Sequence, residues 1–188
     1  MTSAEALDLF RSTGALLEGH FVLRSGLHSR QFFQCAQALQ KMPIVERFGA
    51  ALADKARPLQ AVTVISPAMG GLVIGQEVAR QLGLRFIFAE KEDGRLVLRR
   101  GFQFQPGERC LVVEDVVTKG GRVQETMEIV RTHGANVVGV AMLVDRSDGT
   151  LNLGVPTCSL IRLNVETFPA DHLPEDLASI PAVTPGSK

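Results

Sequence analysis

The chain has 188 residues, 45% of them hydrophobic and 21% charged, which is enough to bury one sizeable core and too apolar for wholesale disorder, so a single domain is expected. Twenty Lys and Arg balance twenty Asp and Glu, leaving no long-range basic field to attract nucleic acid or an anionic membrane; any anion site must be local. No apolar run approaches the roughly 20 residues that span a bilayer, and the opening MTSAEALDLFRSTG carries acids where a signal peptide carries basic and then apolar residues, so a cytoplasmic protein is expected.

In chain order, Ala4 to Leu17 sets Leu7, Phe10 and Leu17 among polar residues after Ser3 as N-cap, which predicts an amphipathic helix ending near Glu18-Gly19. HFVLRSGLHSRQFFQC, from His20 to Cys35, reads as two short strands around a Ser-Gly turn. Pro43 to Lys55 carries Ile44, Val45, Phe48, Ala51 and Leu52 on one helical face, with proline at its start and Pro58 beyond its end. From Ala61 the pattern alternates: AVTVIS strand, GGLVIGQEVARQLG helix, LRFIFAE strand, a polar stretch to Gly107, RCLVVEDV strand, GGRVQETMEIVRTHG helix and NVVGVAMLVD strand. Near-continuous apolar strands separated by helices imply a parallel sheet covered on both faces, an α/β fold. The tail PAVTPGSK looks loose. Cys35, Cys110 and Cys158 are odd in number and lack CxxC spacing, so they read as reduced, mostly buried thiols.

Ligands of such sheets bind beyond the carboxyl ends of the strands. SPAMGG, AEKEDG, EDVVTKGG and DRSDG should therefore converge. In LVVEDVVTKGGRV, from Leu111 to Val123, the glycines of Thr118 to Gly121 precede a helix whose free N–H groups and dipole suit a phosphate monoester. The loop is neither a Walker A sequence nor a GxGxxG. Glu114 and Asp115 end the strand just before it. Two acids in an apolar run are costly unless paired, bonded or solvated in a cleft, and as acceptors they suit sugar hydroxyls or a cation. A ligand with hydroxyls in its middle and a phosphate at one end fits both features; capping of the following turn is the plainer alternative for the acids.

VVEDVVTKGG resembles the binding signature for phosphoribosyl pyrophosphate in the type I phosphoribosyltransferases: an apolar strand, two acids, an apolar pair, then T-x-G-G. GHFVLRSGLHSRQFF and VDRSDG are similar to segments of the orotate-specific members, and the resemblance runs from about Leu7 to Arg162. It implies a type I phosphoribosyltransferase-like fold, a mostly parallel sheet flanked by helices, in one domain. Residues from about 1 to 40 would form an N-terminal helix and a small hood over the base, and about 60 to 165 the core sheet.

The implied reaction transfers ribose 5-phosphate from phosphoribosyl pyrophosphate to orotate in pyrimidine biosynthesis, releasing pyrophosphate. By the same resemblance Glu114, Asp115, Val116, Val117, Thr118, Lys119, Gly120, Gly121 and Arg122 would bind phosphoribosyl pyrophosphate, with Lys91. Lys91 and Asp115 would be catalytic, and Arg24, Phe32, Phe33, Thr118 and Arg146 would bind orotate. Phe32 and Phe33 also read as core; being adjacent in a strand they point to opposite faces, so at most one is expected to stack on the base. Arg24 also reads as a surface arginine, and Arg146 as a partner of Asp145 or Asp148 in a solvated turn. Mg²⁺ is the implied cofactor, held mainly through the substrate with Asp115 as a possible ligand, and a homodimer sharing a mobile loop around Lys91 is the implied assembly.

The sequence departs from the family pattern in three places. The loop EKEDGRLVLRR is short, which leaves Arg95, Arg99 or Arg100 to assist Lys91, or Lys91 to act with Mg²⁺ alone, and its Asp-Gly also reads as a hairpin turn. Gly70 stands where many relatives have lysine, so backbone N–H groups of Met69, Gly70 and Gly71 are expected as pyrophosphate donors, with helix packing as the competing explanation for the glycines. Lys119 and Arg122 replace small or hydroxyl residues. A transferase for another base, or a regulator that binds phosphoribosyl pyrophosphate, remain alternatives.

Overall fold

In the computed structural model, residues 1–23, 25–147, 149–163 and 165–185 are described. Helix α1 (Ser3–Ser12) starts at Thr2, whose hydroxyl accepts from the Glu5 N–H while the Glu5 carboxylate accepts from the Thr2 N–H, a reciprocal cap. It stops at Thr13, before Gly14 at φ 67°, rather than running to Leu17. The left-handed glycine ends the helix, and Leu16 and Leu17 pass into strand β1 (Leu16–Val22). β1 pairs antiparallel with β2 (His28–Phe33), as the sequence predicts. A one-turn helix α2 (Cys35–Leu39), too short to show a period, leads to α3 (Met42–Ala56), which carries Pro43 in its first turn. A 3₁₀ turn, Arg57–Leu59, follows.

The alternating half of the chain gives β3 (Thr63–Pro67), α4 (Leu72–Leu82), β4 (Arg85–Glu92), β5 (Arg95–Leu98), β6 (Arg109–Val117), α5 (Gly121–Thr132) and β7 (Asn136–Asp145). β8 (Thr157–Arg162) completes a six-stranded sheet in the order β5-β4-β3-β6-β7-β8, parallel except for β5. Strand alternation divides the core. Val64, Leu111, Val113, Ala141 and Leu143 pack with α1 to α4, whereas Ile65, Val112, Val140 and Met142 pack with Val123, Met127 and Val130 of α5. Phe10 of α1 stacks on Phe48 of α3 at 4.8 Å and meets Phe33 of β2 edge-on at 5.5 Å, which fastens the small N-terminal sheet to the main core.

The strand succession runs outward from β3 to β4 on one side and from β6 through β7 to β8 on the other. The order therefore reverses between β3 and β6, and a crevice opens there beyond the strand ends. Those ends carry Pro67 and the pair Glu114-Asp115.

The small sheet takes its third strand, β9 (Thr167–Phe168), from the far end of the chain, in the order β1-β2-β9. Arg30 holds this segment by bonds from Nε and Nη2 to Asp176, from Nη1 to Glu166, and by lying 4.8 Å over the Phe168 ring. Beyond α6 (Glu175–Ala178) the tail is not loose through Val183. Val183 bonds to His20 O and Val22 N, and Ile180 O meets His20 Nδ1 at 2.8 Å. An apolar Val and a free edge on β1 account for this pairing, which the Pro-, Ser- and Gly-rich composition hides.

Candidate functional site

A cavity of about 630 Å³ lies at the switch point, walled by Pro67 to Gly70, Lys91, Glu114 to Thr118 and Gly120 to Val123. Three of the four segments expected to converge therefore do so on one hollow.

Gly120 begins α5 at φ 78°, and a Cβ there would come within 2.9 Å of Leu151 Cδ1. The sharp turn and this close approach both require glycine. No side chain caps α5, so the first-turn N–H groups of Gly121, Arg122 and Val123 point towards the cavity mouth without a capping partner. Such a helix start suits a phosphate and is called the cradle below. Thr118 is exposed at its rim. Arg122 lines it and reaches Ala68 O at 3.4 Å, whereas Lys119 is exposed and off the wall, so only its backbone belongs to the loop.

Glu114 is buried and Asp115 half-buried on the opposite wall. Glu114 Oε1 accepts from the Asp115 N–H at 3.0 Å, and Asp115 Oδ1 accepts from the Val116 N–H at 2.8 Å. These local bonds orient the carboxyls and leave acceptor capacity free. Burial, and then the neighbouring Asp115 charge, push the Glu114 carboxyl up to about 9. Among the described residues no three His, Cys, Asp or Glu side chains gather as a metal nest. The Asp115 carboxylate on the cavity wall nevertheless suits a Mg²⁺ that takes its other ligands from phosphate and water.

The turn after β3 explains Gly70 and Gly71. A Cβ on Gly70 would lie 2.8 Å from Asp115 Oδ1, and one on Gly71 2.8 Å from Val113 O and 3.0 Å from Glu114 Oε1. The acids press so closely on this turn that it is built without side chains. Gly71 N–H is engaged by Pro67 O at 3.3 Å, which removes it from the three expected donors. The Met69 and Gly70 N–H groups have no partner among the described residues and line the cavity.

The segment around Lys91 is a hairpin, β4 paired with β5 through Asp93 and Gly94 at φ 47° and 88°. Lys91 lines the cavity of its own chain. The arginines expected to assist it are engaged elsewhere or off the wall. Arg99 pairs with Glu92 at 3.0 Å, Arg100 grips Glu90 through two bonds of 2.7 and 2.6 Å, and exposed Arg95 does not line the cavity.

The expected base-binding residues are more scattered. Phe33 is buried against Phe10, and half-buried Phe32 lies 5.9 Å from Phe21; neither lines the cavity. Arg24 and Asp148 lie outside the described residues. Arg146 N–H bonds to Val117 O at 2.8 Å, which places it beside the end of β6. Its Nε is buried with no partner among the described residues, and burial lowers its pKa from the ordinary value. It does not pair with Asp145, which instead accepts from Ser147 and faces Arg162 Nε at 3.3 Å. An orphaned guanidinium nitrogen suits a ligand acceptor. Sequence reasoning gave Cys35 no role, yet this buried thiol is raised well above its usual range by burial and by the nearby Asp115 and Glu114. Its position one residue into α2 links the end of β2 to the acids. Only the fold could reveal that proximity.

Comparison with known proteins agrees with this geometry. The family profile described as "Phosphoribosyl transferase domain" matches residues 36–171. Two proteins named orotate phosphoribosyltransferase match the whole chain: that of Desulforamulus reducens is 50% identical over 98% of its own length, and that of Pelotomaculum thermopropionicum is 48% identical over 99%. The crystal structure of orotate phosphoribosyltransferase from Aeropyrum pernix superposes with a TM-score of 0.69 at 25% identity, covering 84% of this chain and 93% of that one. With acid pair, cradle and lysine set around one crevice at the switch point, the chain belongs to the type I phosphoribosyltransferase family and, within it, to the orotate phosphoribosyltransferases.

Proposed function

We infer that the protein transfers the 5-phosphoribosyl group from phosphoribosyl pyrophosphate to orotate, giving orotidine 5′-monophosphate and pyrophosphate in pyrimidine biosynthesis. The observation that carries this reading is the placing of the uncapped α5 N-terminus and the Glu114-Asp115 pair on one cavity. The 5-phosphate takes the N–H groups of Gly121 to Val123 and the Thr118 hydroxyl, while the ribose hydroxyls donate to Glu114 and Asp115. Pyrophosphate meets the Met69 and Gly70 N–H groups and the Lys91 ammonium, which lies where negative charge develops as the leaving group departs. Asp115 would help to hold a Mg²⁺ brought in by the pyrophosphate, and the ion would supply further neutralisation of that charge.

Orotate is a flat anion. Arg146 offers it a buried guanidinium with an Nε that has no partner among the described residues, and Thr118 a hydroxyl; the resemblance adds Arg24, which lies outside the described residues, and Phe32 and Phe33 of β2, neither of which lines the cavity here. A homodimer in the cytoplasm completes the reading. Among the described residues no helix is long and apolar enough to cross a membrane. Mixing protein, orotate, phosphoribosyl pyrophosphate and Mg²⁺ is expected to consume the orotate absorbance; an unchanged absorbance at saturating substrates overturns the reading.

A further inference from the structure

Lys91 of β4 stands directly across the ladder from Leu96 of β5, so their side chains share one face of the hairpin. Leu96 is buried on that face with Ala89, two residues before Lys91, and both pack with Ile129 of α5. β5 is the edge of the sheet, so N–H groups on its outer side have no neighbouring strand to receive them. One of these, the Leu96 N–H, donates to Glu125 Oε1 at 2.5 Å. Glu125 lies on α5 four residues after Gly121, one turn from the phosphate cradle. A single carboxylate thus ties the strand opposite Lys91 to the helix whose N-terminus holds phosphate.

We propose that Glu125 is a positioning residue, which fixes Lys91 relative to the cradle by holding the Leu96 N–H and so sets the lysine against the pyrophosphate end of the substrate. The role rests on the function assigned to Lys91 above. Packing of Leu96, Ala89 and Ile129 brings the hairpin and helix together, but apolar contacts are non-directional and allow sliding. The charged hydrogen bond fixes the register of that contact. Reach matters here because an ångström of misplacement at a reacting group costs on the order of a hundredfold in rate. The role asks only for an acceptor at Oε1, which a glutamine also provides.

Steady-state kinetics of Glu125→Ala, Glu125→Gln and Lys91→Ala, with Glu125→Ala repeated in the Lys91→Ala background, test the proposal. Glu125→Ala is expected to lower kcat about tenfold with both KM values within about twofold, and Glu125→Gln to stay within about twofold of the parent. In the Lys91→Ala background, Glu125→Ala should change kcat by less than about twofold, since both act through one group. Amide exchange over residues 95–98 should speed up in Glu125→Ala and not in Glu125→Gln. Full activity of Glu125→Ala beside an impaired Lys91→Ala, equal losses in Glu125→Ala and Glu125→Gln, or multiplying losses in the double variant would overturn the proposal. An unimpaired Lys91→Ala would remove the role of Lys91 and with it the positioning role, whereas unchanged exchange in Glu125→Ala would remove the anchor alone.

Discussion

On the proposed reading each wall of the cavity acts on a different part of one substrate, so single substitutions should separate binding from turnover. Asp115→Asn removes a charged acceptor from the ribose and is expected to raise the KM for phosphoribosyl pyrophosphate about tenfold, the value of one charge-assisted hydrogen bond. Lys91→Ala should lower kcat far more than it raises either KM, because its ammonium matters most as charge develops on the leaving group; unchanged turnover would refute the assignment. Glu114 gives a pH signature. Its folded pKa, about 9, lies above the ordinary 4.5, so folding favours the protonated carboxyl. That contribution to stability is fully present below pH 4.5 and is lost as pH rises towards 9. Glu114→Gln, neutral at every pH, should therefore gain stability relative to the parent as pH rises through that window. Parallel melting-temperature curves for the two proteins between those limits would contradict the account. At this scale the acid pair and the cradle were readable from LVVEDVVTKGG, since charge inside an apolar run announces itself. Arg146 was readable by resemblance, but its freedom from Asp145 was not, because Arg162 and Ser147 reach that carboxylate from elsewhere in the fold.

Among the elements, the strands and helices of the alternating half were legible because burial on both faces leaves long apolar runs, and β7 falls where NVVGVAMLVD places it. What escaped was short or at an edge. α2 spans five residues, β8 reads TCSLIR after a proline, and β9 has two residues; none displays a period. The first helix was overextended because Ala15 and Leu16, which are buried, continue its apolar pattern past the glycine that ends it. The start of α5 is where element geometry and function meet. Gly120→Ala would place a methyl group against Leu151 and hold a non-glycine residue at φ 78°, so it should cost about 1–2 kcal/mol of stability and also weaken phosphate binding. Gly134→Ala, at the same φ but with open space around it and remote from the cavity, should lose stability without losing substrate affinity. Equal losses of affinity in the two variants would mean that the cradle is not the phosphate site.

At the scale of the whole molecule, the small sheet is built from both chain ends: β1 and β2 near the N-terminus are bound by β9, by the Arg30 clamp and by the Val183 bridge. A sequence read in order has no means of joining segments about 140 residues apart, so β9 and the Val183 bridge were not legible beside β1 and β2. Within the chain the hairpin carrying Lys91 packs on α5, and Lys91 can serve either its own site or, as the resemblance implies, the site of a partner subunit. Mixing Lys91→Ala and Asp115→Ala proteins under conditions that exchange subunits distinguishes the two arrangements. With each site built from one chain, no activity should return; recovery of up to about a quarter of the parental rate, the share expected when hybrid dimers regain one intact site, would mean that the lysine crosses the interface.

The central claim, that this crevice transfers a phosphoribosyl group to an acidic pyrimidine, is tested most directly by product analysis. The protein is incubated with phosphoribosyl pyrophosphate, Mg²⁺ and, in parallel, orotate, uracil, adenine or hypoxanthine, and nucleotide and pyrophosphate are quantified. Orotidine 5′-monophosphate and pyrophosphate should form in equal amounts with orotate, and the neutral bases should give little or no nucleotide. Failure with orotate, or faster transfer to a neutral base, would contradict the account.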